Sequence, residues 1–151
     1  MSDQHPIVDD DVLGPLTRAT TELTDGEILV HDWYAATLPA DGGELEIMVE
    51  GTSPEEVVPL LPRLRDAIAR IDALRRIASD AVVTRFSTGD PEQHELDDAA
   101  TDLVLETVEA SADGTIVLHL IDSCGEHFPE GYWPAVHLGA GDRVEQVTVE
   151  A

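Results

Sequence analysis

One stretch of the chain combines, at close spacing, side chains that could do chemistry. From residue 122 to residue 127 it reads Asp-Ser-Cys-Gly-Glu-His, so Cys124 precedes His127 by three positions. A Cys-x-x-His spacing can hold zinc when a histidine or carboxylate from a neighbouring strand completes the ligand set. His119 lies upstream, and His137 lies on a predicted strand that could run beside it. These four residues are the candidate ligands of a metal-binding enzyme or sensor.

Two properties of this stretch argue against chemistry. A structural zinc site normally has a second close-spaced ligand pair, and the chain has a single cysteine. An activated thiolate needs nearby positive charge or a helix N-terminus, whereas Asp122 and Glu126 flank Cys124. The alternative is a polar loop between hairpins, with the histidines as ordinary sheet positions. We therefore expect no cofactor and favour a non-enzymatic role, while the enzyme question stays open.

Motifs of several enzyme classes are missing from the sequence. It contains no Gly-x-Gly-x-x-Gly, no phosphate loop ending in Gly-Lys, no Gly-x-Ser-x-Gly and no His-Glu-x-x-His. It also contains no lysine. Schiff-base and pyridoxal chemistry are therefore excluded, because both need a side-chain amine.

The chain is strongly acidic. Asp and Glu number 32 against 8 positive side chains, which gives a formal net charge of −24. This charge disfavours nucleic acid and anionic membranes as partners and favours a basic protein. An acidic surface without lysine is also typical of proteins from a high-salt cytoplasm, and GC-rich codon usage favours the same composition. Both background explanations stay open.

Length and composition predict a single domain. The chain has 151 residues, of which 42% are hydrophobic, enough to bury a core without metal or disulfide staples. Residues 1–11 are polar and acidic and predict a flexible N-terminal arm, followed by one domain over residues 12–151. The lone cysteine and the lack of a signal peptide or membrane span predict a reducing cytoplasm. The oligomeric state is left open.

Alternation of apolar and polar residues predicts strands at both ends of the chain. Residues 27–38 and 44–50 form a predicted hairpin, and residues 13–23 add an edge strand. Two further hairpins are predicted over residues 103–121 and 132–150.

The middle of the chain predicts helices. Ser53 and Glu56 are placed as a capping box that opens a long helix, with a bend where Pro59 and Pro62 fall in its first turns. A second cap and proline at residues 90–91 predict a short helix to about Ala100. Six arginines lie on or just after the long helix: Arg63, Arg65, Arg70, Arg75, Arg76 and Arg85. We expect them to meet carboxylates at the edge of the sheet, with a small anion site as the alternative.

These elements predict an α+β fold: an antiparallel β-sheet built from hairpins, with one long and one short helix packed on one face, in the order β-β-α-α-β-β-β-β. The second predicted strand exposes an acidic face, and each of two aromatic pairs points one ring to each face of the sheet. Core packing alone is the alternative account of the aromatic residues. The candidate binding residues are Glu44, Glu46, Glu50, Trp33, Tyr34 and Trp133.

The order of hairpin, capped helix and hairpin, closing on residues 131–138 and 142–150, resembles a bacterial family. It is similar to small domains of unknown function, the group numbered two thousand and four and its relatives, from about Glu27 to the C-terminus. That resemblance implies no reaction and no catalytic residues, although some small acidic domains of similar build serve as immunity proteins. The leading hypothesis is an immunity-like or inhibitor-like protein-binding domain, with the metal-binding enzyme or sensor and an acidic nucleic-acid mimic as alternatives.

Overall fold

A computed structural model describes residues 6–40 and 43–151. Its strands form one eight-stranded sheet in which the spatial order follows the order along the chain. The strands are β1 Val8–Asp10, β2 Gly14–Glu22, β3 Ile28–Ala40, β4 Gly43–Glu50, β5 Leu103–Ala110, β6 Ile116–Asp122, β7 Trp133–Leu138 and β8 Val144–Glu150. Neighbouring strands are antiparallel except β4 and β5, which run parallel because the helical segment crosses between them. The α+β class is confirmed. The predicted element order is wrong, because four strands precede the helices and not two, and the parallel pair corrects the prediction of a wholly antiparallel sheet.

The helical segment is divided more finely than predicted. Its elements are α1 Pro54–Val57, a 3₁₀ turn Val58–Leu60, α2 Leu61–Ala69, α3 Ile71–Phe86 and α4 Gln93–Asp102. The bend predicted at Pro59 and Pro62 is confirmed by the 3₁₀ turn and by the start of α2. The single long helix is wrong, because Arg70 leaves helical geometry at φ −116° and ψ 26° and separates α2 from α3. Each described helix is too short or too polar to cross a lipid bilayer.

Both predicted helix caps differ in detail. The Ser53 side chain caps no N–H among the described residues, and Glu56 instead accepts hydrogen bonds from the backbone N–H and hydroxyl of Thr52. The second helix begins two residues later than predicted. Its N-cap is Glu92, which forms a reciprocal capping box with Glu95, so the extended backbone of Glu92 sets the start of the helix.

The N-terminal boundary also differs from the prediction. Val8–Asp10 forms β1 instead of belonging to a loose arm, whereas residues 1–5 lie outside the described part of the chain. Val8 pairs with Leu16, so β2 has a neighbour here and is not the edge strand. Asp10 holds this corner, because it accepts the backbone N–H of Leu13 at 2.9 Å and the Arg65 guanidinium at 3.0 Å.

The helices cover one face of the sheet. Along β4 the buried residues Leu45, Ile47 and Val49 alternate with residues that point away from the helices. The chain contacts follow this division, with α3 against β6, β7 and β8, and α2 and α4 against β5. The largest fully buried side chains are Tyr34, Leu13, Leu16, Ile47, Leu64, Leu74, Ile116, Leu118, Leu120, Leu138, Val49 and Val57. The other face carries no helix in the described structure and is called the open face below.

Three of the six arginines tie the helices to the sheet edges as predicted, whereas Arg76 pairs with Asp80 and Asp97 on the helices themselves. Arg65 pairs with Asp10 at the end of β1, and Arg63 and Arg70 both pair with Asp142 in the turn before β8. The bonds from Arg70 hold the pKa of the Asp142 carboxyl below its usual range, although partial burial opposes this shift. These three guanidinium groups already have carboxylate partners, which favours a scaffold role over an anion site.

Asp142→Asn is expected to lower the free energy of unfolding at pH 7 by about 1–2 kcal/mol, since it removes charged hydrogen bonds. Asn tolerates the positive φ of 60° at this position, so the turn is preserved. The folded pKa of Asp142 is depressed, so the stabilisation is present above the unfolded pKa and is lost as pH falls through the folded pKa. Denaturant unfolding at neutral and acid pH checks this prediction. A difference that persists unchanged in acid would contradict it, and Asp66→Asn on the exposed side of Arg70 should have a smaller effect.

The β2–β3 hairpin extends beyond the rest of the sheet. Glu50, the last residue of β4, pairs with Trp33, while the hairpin continues through the pairs Thr20–Val30 and Glu22–Ile28. Every residue from 20 to 30 is exposed. This two-stranded ribbon therefore stands outside the core.

Candidate functional site

The open face can be read across the sheet from the strand register. One continuous row joins residues of seven strands: Thr17, Ala35, Met48, Glu109, Val117, His137 and Gln146. A second row lies beside it: Thr37, Glu46, Thr107, His119, Ala135 and Thr148. The small side chains Val117 and Ala135 are buried between larger neighbours. The centre of this face is therefore a closely packed surface without a helix above it.

The open face is acidic. Strand alternation places five glutamates on it: Glu44, Glu46, Glu50, Glu109 and Glu150. Among the residues that the structure describes, no arginine lies on this face. Arg18 pairs with Tyr34 on the helix-covered side, five arginines belong to α2 and α3, Arg70 lies between these helices, and Arg143 precedes β8. The predicted candidates Glu44, Glu46 and Glu50 are thus brought together on one surface.

Two tryptophans belong to the same face, and one predicted aromatic does not. Trp33 pairs with Glu50 at the β3 side, and Trp133 pairs with Glu150 at the β7 side. Tyr34 is fully buried beneath the helices. Because consecutive strand residues point to opposite faces, Tyr34 cannot share the surface of Trp33. Tyr34 is therefore removed from the candidate binding residues.

The histidines of the open face are engaged with neighbours. The indole N–H of Trp133 donates to Nδ1 of His119 at 3.1 Å, and Nε2 of His119 lies 3.0 Å from a Glu109 carboxylate oxygen. Nδ1 therefore accepts, which places the proton of the neutral imidazole on Nε2 facing Glu109. His137 Nε2 lies 3.0 Å from the Thr148 hydroxyl. These contacts form a cross-strand network on the sheet.

His119 and His137 do not join the predicted metal site. They lie on the open face, whereas Cys124 and His127 lie in the loop after β6. The third potential ligand is Asp102, whose carboxylate forms with Cys124 and His127 a set of ligand atoms all within 4.8 Å of one another. The sequence prediction missed Asp102. Asp102 could have been found from the strand register, because Leu103 pairs with Asp122. This pairing brings Asp102, the residue before β5, next to the loop after β6.

The loop that carries this cluster is held at both ends. The Ser123 backbone N–H and hydroxyl donate to the Asp102 carbonyl at 2.8 and 2.7 Å. Asp122 accepts the backbone N–H groups of His127 at 2.6 Å and Phe128 at 3.0 Å. The loop is therefore tied to the end of α4 and folded around the Asp122 carboxylate.

The electrostatics of the cluster disfavour a free thiolate. The Glu126 backbone N–H lowers the pKa of the Cys124 thiol, but the Asp122 and Asp102 carboxylates outweigh it and leave that pKa above its ordinary value. His127 Nε2 lies 3.1 Å from an Asp102 carboxylate oxygen. A raised thiol pKa disfavours nucleophilic attack by the unassisted Cys124 side chain.

An apolar groove borders the cluster. It has a volume of about 680 Å³ and lies between α3, α4 and the loop before β7. Phe86 and Phe128 form one wall with their rings 5.7 Å apart and perpendicular, and His127 lines the groove as well as the cluster. Phe86 and Tyr132 are 51% and 49% exposed. Sequence analysis missed the groove, because its aromatic residues come from a helix end and a loop without periodic pattern.

Comparison of the chain with protein-family models, with curated proteins and with solved structures finds no match. The resemblance to the bacterial domain of unknown function stays a prediction. The open face and the loop cluster are the surfaces from which a function can be argued.

Proposed function

We propose that this protein is a non-enzymatic binding domain whose open face receives a basic protein partner. The observation that carries the proposal is the segregation of charge across the sheet. Glutamates and tryptophans lie on the open face, while arginines lie among the helices on the other side or beside the sheet. A surface of one sign attracts a partner of the opposite sign and suppresses partners of its own.

The two tryptophans supply anchors for such a partner. Each has a glutamate directly across the strand pair, Trp33 beside Glu50 and Trp133 beside Glu150. His31 stacks on one face of the Trp33 indole at 4.4 Å, so an incoming arginine would stack on the other face while it pairs with the neighbouring carboxylate. β3 and β7 are four strand spacings apart, about 19 Å, so the two anchors can engage separate side chains of one partner.

The size of the open face also suits a protein more than a small ligand. Seven strands span about 29 Å across the sheet at the usual strand spacing, and six residues span about 20 Å along a strand. The resulting flat area of about 580 Å² is about three quarters of the ~800 Å² that one side of a standard protein interface buries. In typical protein interfaces a few aromatic contacts supply most of the binding energy and polar residues surround them. The two tryptophans and the glutamates of the open face match this arrangement.

Charge removal on the open face tests the proposal. Glu44→Gln/Glu46→Gln is expected to weaken binding of the partner at least tenfold at low salt, because it removes two carboxylates that steer the encounter. The matched control is Glu55→Gln/Asp72→Asn on the exposed side of the helices, which changes the net charge equally. Wild type, variant and control are used as parallel baits in a native lysate, followed by affinity measurement on the purified protein that wild type retains.

Retention of one basic protein by wild type and control, but not by the open-face variant, supports the proposal. Equal retention by all three baits, or equal loss from variant and control, would overturn it. A retained DNA-binding protein that duplex DNA displaces would identify the domain as a nucleic-acid mimic, the narrower form of the same proposal.

A further inference from the structure

We propose that Asp102, Cys124 and His127 bind one zinc ion at the rim of the apolar groove, with three protein ligands and one open coordination position. The three side chains offer the sulfur, nitrogen and oxygen atoms that zinc binds in proteins. Their ligand atoms already lie within 4.8 Å of one another. Neither the open face nor its proposed partner enters this site.

The spacing of the ligand atoms suits a single ion. Bond lengths of about 2.3 Å to sulfur and 2.0–2.2 Å to nitrogen and oxygen put tetrahedral ligands about 3.4–3.6 Å apart. His127 Nε2 and the Asp102 oxygen are 3.1 Å apart in the structure, so they need only a small outward adjustment. The separations to the Cys124 sulfur are bounded at 4.8 Å, which is wider than the spacing around a bound ion, so zinc binding would also draw this side chain inward.

The backbone that carries the ligands is fixed by bonds that the metal would not use. The Asp102 carbonyl accepts two hydrogen bonds from Ser123, so these bonds hold the backbone without using the Asp102 carboxylate, which contacts His127. Asp122 holds the backbone of His127 through one carboxylate oxygen. A site held this way loses little conformational freedom on binding, which favours affinity.

The charge of the cluster favours a divalent cation. The Asp102 carboxylate lies against His127, and the Cys124 thiol donates to the second carboxylate, Asp122, at 3.2 Å. Zinc binding releases the thiol proton to solvent and places two positive charges among two carboxylates and one thiolate. The ion thus offsets negative charge that is already concentrated at this loop.

The apolar groove borders the open coordination position of the proposed zinc ion and could hold a ligand there. His127 lines both the cluster and the 680 Å³ groove, whose walls include Phe86 and Phe128. Three protein ligands and a free position are typical of zinc sites that bind a further ligand. The groove would take the apolar part of a molecule whose donor atom completes the coordination of the zinc ion.

Cobalt and zinc titrations test the site. Protein purified without a metal-affinity tag and stripped with chelator should bind one Co²⁺ with a sulfur-to-cobalt charge-transfer band, and Zn²⁺ should displace it with a dissociation constant of about 1 μM or below. Cys124→Ser should abolish the band. His127→Gln and Asp102→Asn should each weaken zinc binding at least tenfold, as measured by competition with a chromogenic chelator.

Two control variants separate this site from general binding to an acidic surface. Asp98→Asn changes the charge equally on the same helix as Asp102, and His137→Gln removes an imidazole from the open face; both should leave the affinity unchanged. No charge-transfer band at one equivalent of Co²⁺, or equal zinc affinity in Cys124→Ser and Asp98→Asn with circular dichroism showing intact folds, would overturn the proposal. The Glu44→Gln/Glu46→Gln variant keeps all three ligands, so the two proposals fail independently.

Discussion

Tyr34→Ala is expected to lower the free energy of unfolding by about 3–5 kcal/mol, whereas Tyr34→Phe should leave it equal or raise it by about 1 kcal/mol. Tyr34 is fully buried in the centre of the core, so truncation removes a large apolar contact area and leaves a cavity. Its hydroxyl has no hydrogen-bond partner among the described residues. Phenylalanine keeps the ring and removes an unsatisfied polar group, so the pair of substitutions separates ring packing from the hydroxyl.

Denaturant unfolding of the three proteins measures these differences, and unchanged m-values would show that the same amount of surface is exposed on unfolding. A loss of more than about 1 kcal/mol in Tyr34→Phe would mean that the hydroxyl is hydrogen-bonded in solution. Trp33→Phe, on the open face of the adjacent position, provides a control for aromatic replacement outside the core.

Added salt is expected to stabilise the protein. At a net charge of −24 the folded chain holds its carboxylates close together, and their repulsion opposes the compact state. Raising KCl from 0.1 to 1 M shortens the screening length from about 10 Å to about 3 Å. The same salt weakens exposed pairs such as Arg76 with Asp80, but such pairs contribute little. The midpoint of thermal unfolding should therefore rise by several degrees, at about 3 °C per kcal/mol.

Thermal scans in KCl, with sucrose as an uncharged control, measure this effect. The open-face variant Glu44→Gln/Glu46→Gln carries less repulsion and should show a shallower rise than wild type. A midpoint that falls with salt would mean that ion pairs outweigh repulsion in this fold. Such a result would also weaken the background explanation of the acidity, because adaptation to a high-salt cytoplasm requires a fold that salt supports.

Much of the sheet could be predicted, because alternation within one strand and the residues of one turn are both visible in a short stretch of sequence. The alternation over residues 44–50 gives β4 almost to the residue, and the turns between β5 and β6 and between β7 and β8 lie where the sequence placed them. The parallel pairing of β4 with β5 could not be predicted this way. It depends on where the chain returns after the helices, which no alternation pattern encodes. The break at Arg70 is similarly invisible, since the apolar stripe continues through it.

The candidate sites divide in the same way. The acidic open face follows from alternation alone, and so Glu44, Glu46 and Glu50 were placed together correctly. The inward direction of Tyr34 depends on which of the two alternating sets of β3 side chains the helices cover, and alternation alone does not distinguish Tyr34 from Trp33 in this respect. The loop cluster could not be predicted in this way, because it depends on the strand register. Asp102 lies near Cys124 because the first residue of β5 pairs with the last residue of β6.

Because of the ribbon formed by the end of β2 and the start of β3, salt has a second, opposite effect. Leu23, Ile28 and Leu29 are 41%, 57% and 48% exposed there, beyond the end of β4. In dilute buffer, long-range repulsion between molecules of the same charge keeps these apolar edges apart. Screening by salt weakens this repulsion between molecules, while it also raises the folding stability of each molecule. The solution that makes a single molecule most stable is therefore also the one in which its ribbons are most prone to stick to each other.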